Sequence, residues 1–552
     1  MLDAWKPAGG FYMAKIRFSK KEFEKYHKID SKLLERISMF GTPVDEFEDE
    51  LEIEIFPNRP DLISLNGFMR GFNAFLEKEK GMRKYKLNSP EKNFKVQIDK
   101  SVEKVRPFTA CAIVKGLKFD DSKIKELMDL QEKLHVTLGR NRKKVAIGVY
   151  PLEKMALPIK YEARSPDKIR FVPLESETEM DGMQIIQQHP KGKEYAHLLK
   201  GKSVFPIFVD GNKKILSMPP IINSNETGKV DEKTKEVFVE CSGNDFETLK
   251  KALNIVVTTL SDLGGKIFQM ELDYSGKEEI TPNFEPEKIK ISLENVNKLL
   301  GLELKEKDLE KLLPKMGYDY AKGIVSIPPW RTDILHEVDI TEDIAIAYGY
   351  DDLIPEIPSV STIGEESKES VVKSKISEIL SGLGLIEISS LHLIKHEELR
   401  NMKQKESEAV QLMDSKTDYK VLRNSLMIPA LRTLFENKNN EYPQKIFEIG
   451  NIFVPGRSIM EESRLLIACI PSNFTELKQM LDYLMKMLDI EYEIKDSPVI
   501  SMIDGRTAQV IVNKKEIGFI GEVNPEILDN WNLKQPLAVI EISLDEIFEK
   551  FK

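Results

Sequence analysis

Residues 328–355 read PPWRTDILHEVDITEDIAIAYGYDDLIP. Two prolines close the strand-like IVSI run at 324–327, and the pattern over 338–348 is helical. A helix that starts near His336 sets Asp339, Glu342 and Asp343 at i, i+3 and i+4, on one face. Asp333 lies on the approach and can fold back toward them. Hard carboxylate oxygens converging on one point suit Mg2+, which commonly keeps several of its waters. Acidic residues in a first helical turn also complement the helix dipole with no ligand present. Spacing alone leaves both readings open.

Working outward, this stretch closes a small, mainly helical unit over 280–358, with short helices at 293–300 and 307–316. Upstream, 93–275 turns β-rich, in the runs ACAIVKGL, KKVAIGVY, SVFPIFV, KILSMPP and EVFVECSG. Helical patterns near 123–134 and 246–263 make it a mixed α/β domain. GRNRKK at 139–144 is a basic loop suited to phosphates, and PPIINSNETG at 219–228 is a turn rich in Asn, Ser and Thr. The strand VFVECSG puts Glu240 and Ser242 on the same side. Together these elements could line a polar pocket; a solvated loop and a capped turn are the alternatives.

An N-terminal α/β domain is expected over 13–92. It holds a strand at 14–18, the acidic run LEIEIF at 51–56, and a helix from about Leu62. Leu62, Leu65, Phe68, Met69, Phe72 and Phe75 give that helix a core-facing stripe. PNRPD at 57–61 separates strand from helix, with Asp61 a suitable cap. Residues 1–12 read as a leader or an extension. Past a polar, acidic linker, 359–552 alternates helices at 370–383 and 474–488 with strands joined by tight turns such as Asn513-Lys514-Lys515, which indicates a mainly antiparallel sheet. The expected fold class is α+β and multidomain, as 552 residues also suggest.

Composition removes several function classes. A net charge of −10 argues against a nonspecific nucleic-acid coat, although local basic loops can still bind RNA. No apolar run approaches the roughly 18 residues of a membrane span. Three dispersed cysteines fit a reducing, cytoplasmic setting. HExxH, CxxC, the P-loop and a GxGxxG turn after a strand are all missing. His392 and His396 are four apart but do not share a helix face as a metal pair would.

LEIEIFPNRPDLISLNGFMRGFNAFL, KKVAIGVYPLEK, FPIFVDGN, SMPPIINSNETGKV and the stretch at 328–355 occur in an order that resembles the β-subunit family of phenylalanyl-tRNA synthetase, in its archaeal and eukaryotic form. The resemblance runs over essentially the whole chain from Met13. It implies an editing-type domain at 93–275, a winged-helix-like small unit at 280–358, and a degenerate class II synthetase-like core at 359–552. It further implies a heterotetramer of two α and two β subunits that charges tRNA(Phe), with ATP consumed at the partner α subunit. Hydrolysis of mischarged Tyr-tRNA(Phe) would fall to this chain. The implied Mg2+ ligands are Asp333, Asp339, Glu342 and Asp343. Glu240 is the candidate acceptor for the tyrosine hydroxyl; Asn223, Ser217 and Ser242 would orient ester and water, and Arg142 would hold the tRNA end. Arg423 and Arg432 are expected to be structural or interfacial. A free-standing aminoacyl-tRNA deacylase and a non-enzymatic tRNA-binding scaffold are the rival readings.

Overall fold

Ala14–Ser19 and Val44–Glu46 both pair antiparallel with Glu50–Ile55, and Leu51, Ile53 and Ile55 turn inward from that central strand. This computed structural model describes residues 14–413 and 415–551. The leader or extension expected at 1–12 lies outside the described residues. The chain forms two compact units, Met1–Ile357 and Pro358–Lys552.

The first helix after PNRPD begins later than its apolar stripe suggests. Pro60–Leu62 is a single 3-10 turn, and the α-helix runs Leu65–Phe75. Its cap is Ser64, whose Oγ accepts from the Gly67 amide at 3.0 Å. Asp61 does not cap it. Both its oxygens are held at 2.9 Å by the Arg59 guanidinium, and a carboxylate chelated in this way is not available to a helix amide. Phe68 and Phe72 from this helix stack on each other and meet Phe40.

The larger part of the first unit is an 11-stranded mixed sheet. Glu236–Gly243 lies between Phe108–Lys115 and Val145–Pro151, antiparallel to both, and the register sets Glu240 opposite Gly148. Farther along, Phe205–Val209, Ile215–Met218 and Ile222–Asn223 form a meander in which Ser217 faces Asn223. Lys95–Ile98 runs parallel to its neighbours on both sides. The helices Asp121–Val136 and Phe246–Asp262 bring Leu130 and Leu253 into one apolar cluster with the strand residues Val149 and Val239. Glu287–Lys290, Ile324–Ile327 and Asp319–Ala321 make a small antiparallel sheet beside the helices Leu293–Leu300, Glu306–Lys315 and Glu337–Tyr348. One buried cluster includes Ile16, Leu253 and Ile344, so the three sequence tracts of this unit share a core.

In the second unit a seven-stranded sheet carries the strands Gln444–Val454, Met460–Ile470, Ala538–Ser543, Lys515–Val523 and Met502–Val512 in that spatial order, all antiparallel. Asn513 and Lys514 link two of them with φ of 52° and 65°. Two left-handed residues are what a two-residue hairpin turn needs to match strand twist. The helices Lys368–Gly382 and Phe474–Met487 pack into one apolar cluster with this sheet, and Met427–Glu436 into another. Arg423 is buried and donates to Glu448 at 2.7 Å and to the Asn451 carbonyl at 2.8 Å. Arg432 chelates Glu398. Among the described residues, no helix is long and apolar enough to cross a membrane.

Candidate functional site

A cavity of about 640 Å³ opens in the α/β part of the first unit, between the helix Asp121–Val136, the turn at 219–228 and the inner face of the sheet. Its walls are largely apolar, with Leu127, Ile147, Val149, Ile221 and Ile222 among them, and its polar lining includes Asn223, Glu132, His135 and Glu240. Glu240 is 2 % exposed. Its Oε2 has no hydrogen-bond partner, although it is buried. Tyr150 Oη stands 3.2 Å from Glu240 Oε1 and 3.2 Å from Asn223 Oδ1. One phenol hydrogen cannot serve both acceptors at once. A protonated Glu240 resolves the conflict by donating to Tyr150 Oη while Tyr150 donates to Asn223.

Burial pushes the Glu240 carboxyl up to about 8, only partly offset by the Arg106 cation and by hydrogen bonding to Tyr150. Between about pH 4.5 and 8 the unfolded chain has lost a proton that the folded chain keeps, so stability falls as pH rises through that window. The loss reaches roughly 3 kcal/mol at pH 7 and levels off above 8. Glu240→Gln removes the titration. Denaturation profiles at pH 5, 6.5 and 8 are expected to show the variant gaining stability relative to the parent as pH rises; parallel profiles would contradict a neutral Glu240.

Gly148 makes room for this arrangement. A Cβ at that position would come within 2.2 Å of Tyr150 Oη and 2.6 Å of Glu240 Oε1. His135 is also buried, and its Nε2 accepts from the Ile147 amide at 2.8 Å. That assigns the ring hydrogen to Nδ1, which faces Glu132 Oε2 at 3.4 Å. Hydrogen bonding to His135 and the Arg142 charge hold Glu132 down at about 2, so it stays ionised.

The other expected residues divide. Asn223 lines the cavity. Ser217 Oγ is buried beside it on the paired strand and has no partner. Ser242 is engaged elsewhere. It accepts from Arg106 Nε at 3.2 Å, and its carbonyl accepts from the same guanidinium. Arg142 does not project freely. Its Nη1 donates to the Ile221 carbonyl at 2.9 Å, Nη2 to Glu132 at 3.1 Å, and its guanidinium lies 4.3 Å from the Tyr195 ring centre. Tyr150, Gly148, His135 and Arg106 were not singled out from sequence. Only Gly148 left a signal there, as a glycine inside a strand, which marks a close approach.

The acidic set lies in a second cleft of the same unit, about 1020 Å³, shared with Asn58 and Arg59 of PNRPD. The helix Glu337–Tyr348 has His336 as its N-cap. Arg331 chelates Asp333 at 2.8 and 2.7 Å and also donates to Asp343 Oδ2 at 2.8 Å, where Tyr318 Oη adds a bond of 2.5 Å. Asp339 Oδ2 accepts from the amides of Leu335 and His336. Glu342 makes no hydrogen bond or ion pair among the described residues, and burial plus the charges of Asp343, Asp339 and Asp333 raise its pKa. No three His, Cys, Asp or Glu side chains among the described residues are placed to share one ion. A hydrated Mg2+ needs only one or two carboxylates. Donor chemistry and surplus negative charge therefore fit such an ion at Glu342 and Asp339, while Asp333 and Asp343 are engaged by Arg331.

Comparison with known proteins decides the family. The chain is 37% identical to the phenylalanine–tRNA ligase beta subunit of Archaeoglobus fulgidus over 530 residues, 94% of this chain and 95% of the relative. The chain belongs to the phenylalanine–tRNA ligase β-subunit family. Other members of that family align as extensively: the protein of Methanococcoides burtonii at 35% identity over 96% of this chain and 99% of its own, and that of Pyrococcus abyssi at 37% over 89% and 90%. Two family models match, the tRNA synthetase B5 domain at 289–350 and the phenylalanyl tRNA synthetase beta chain CLM domain at 354–544. The crystal structure of an N-terminal fragment of the β subunit from Pyrococcus horikoshii matches with a TM-score of 0.58 and 35% identity, covering 61% of this chain and 99% of the fragment.

Proposed function

We propose that this chain assembles with the phenylalanyl-tRNA synthetase α subunit, two copies of each, in the cytoplasm. In this reading the α subunit activates phenylalanine with ATP and charges tRNA(Phe), and the Glu240 cavity hydrolyses Tyr-tRNA(Phe). The observation that carries the reading is an apolar cavity ending in a buried carboxyl with an unpartnered oxygen. Such a cavity accepts an aromatic side chain and rewards a hydroxyl at its tip. The need is physical, because a pocket made for phenylalanine rejects an analogue with one added hydroxyl by only about 10²-fold.

Glu240 then recognises the phenol, Asn223 and Tyr150 fix its orientation, and Ser217 Oγ is free to hold water or ester. Ser242 acts through Arg106. Water adds to the aminoacyl ester carbonyl, the ester C–O bond to the ribose breaks, and tyrosine and uncharged tRNA leave. A held water and an oriented ester do most of this work, so no Ser-His-Asp set is needed. Within the family frame, 93–275 is the editing domain, 280–358 the winged-helix-like unit and 359–552 a class II-like core without adenylate chemistry. Glu342 and Asp339 would hold Mg2+, backed by Asp333 and Asp343, and the ion would neutralise the acidic face. The purified chain is expected to give no ATP–pyrophosphate exchange with phenylalanine and to gain it on co-expression with an α subunit. Exchange by the chain alone would overturn the division of labour.

A further inference from the structure

Three successive non-glycine residues, Arg140, Asn141 and Arg142, adopt φ of 48°, 53° and 63°. L-residues rarely take the left-handed region once, and a run of three persists only where its surroundings enforce it. Here they do. The amides of Arg140, Asn141 and Arg142 donate to the carbonyls of Thr137, Val136 and His135, and Lys144 donates back to Gly139. Gly139 is clamped so closely that a Cβ would lie 2.5 Å from the Val145 carbonyl oxygen. Arg106 Nη2 donates to the Arg142 carbonyl at 3.3 Å, and the Arg142 side chain ties the turn to the cavity wall at Pro220 and Ile221.

The result of this construction is that Arg140, Lys143 and Lys144 are exposed, and none has a carboxylate partner among the described residues. Cations after a helix often serve its terminal carbonyls. At this turn none of the three side chains bonds a carbonyl among the described residues, and the last four carbonyls of Asp121–Val136 already accept from backbone amides: Lys133 from Thr137, Leu134 from Gly139, His135 from Arg142 and Val136 from Asn141. Three unneutralised cations fixed beside the cavity wall, in a chain of net charge −10, suit an external anion.

We propose that Arg140, Lys143 and Lys144 form a cradle for backbone phosphates at the 3′ end of the tRNA, with Arg142 as the strut that positions it rather than an RNA contact. The inference rests on the editing reading of the cavity. Its phosphate contacts are sequence-independent and salt-sensitive.

The test uses the assembled α/β enzyme and the triple variant R140Q/K143Q/K144Q, with preformed Tyr-tRNA(Phe). KM for deacylation is expected to rise on the order of tenfold with kcat nearly unchanged. The slope of log affinity for tRNA against log salt should become shallower by about 0.7 for each phosphate that the variant no longer holds. An unchanged KM together with an unchanged salt slope overturns the cradle. If the parent enzyme releases no tyrosine, the cavity reading fails separately, and the salt slope of tRNA(Phe) binding still decides the cradle: equal slopes reject it. Arg142→Lys gives the contrast, since loss of the strut is expected to lower kcat while leaving the salt slope in place.

Discussion

Glu240→Ala is expected to slow hydrolysis of Tyr-tRNA(Phe) by the assembled enzyme about 100-fold while phenylalanylation stays nearly unchanged. The size of the effect follows from what the carboxyl offers. It is a buried polar group of the cavity with an oxygen left over, and a phenol hydroxyl that enters the cavity without that partner loses roughly 1 to 3 kcal/mol to desolvation. Removing it also removes the reason for a phenol to enter a largely apolar cavity. Gly148→Ala should reproduce the loss with Glu240 itself unchanged in sequence, because the added methyl meets Tyr150 Oη and Glu240 Oε1 well inside contact distance. Deacylation and charging rates measured side by side check both variants. Equal loss of the two activities would mean that Glu240 supports the fold and does not read substrate.

Arg331→Ala is expected to lower the stability of the first unit by about 3–5 kcal/mol, the usual consequence of stripping the partner from buried charges. Arg331 is 2 % exposed, and Asp333 and Asp343 both depend on it. Lysine should not rescue the loss, since a single ammonium cannot chelate Asp333 and reach Asp343 together. Asp343→Ala leaves the Asp333 chelate intact and is expected to cost less. Glu342→Ala is the informative contrast: it should leave the denaturation midpoint in place and weaken Mg2+ binding. Denaturation of the four variants with and without Mg2+ separates the structural network from the ion. A midpoint unmoved in Arg331→Ala would contradict the network.

The sequence was readable wherever local chemistry decided the structure. Paired prolines after Ile327, the cap region at His336 and the Asn513-Lys514 turn act over a few residues, and each showed in the pattern of the chain. What could not be read depends on partners far apart in sequence. Asp61 looks like a helix cap, but folding closes it onto Arg59, and Ser64 takes the capping role. Ser242 shares a strand face with Glu240, yet it is occupied by Arg106, 136 residues away. Tyr150 and Glu240 are 90 residues apart and meet because the strand register sets Gly148 between them. A basic loop suggests that Arg142 reaches the RNA. The left-handed turn that points it inward arises from the carbonyls of the preceding helix, which no count of basic residues reveals. The site was legible as a set of residue types and hidden as a geometry.

Preformed substrate tests the editing role proposed for the Glu240 cavity most directly. Tyr-tRNA(Phe) and Phe-tRNA(Phe) are incubated in parallel with the assembled wild-type enzyme, without ATP or free amino acid, and ester loss is followed against a no-enzyme control. Rapid release of tyrosine with phenylalanine largely retained is the predicted result. Hydrolysis of both at one rate, or of neither, would contradict it.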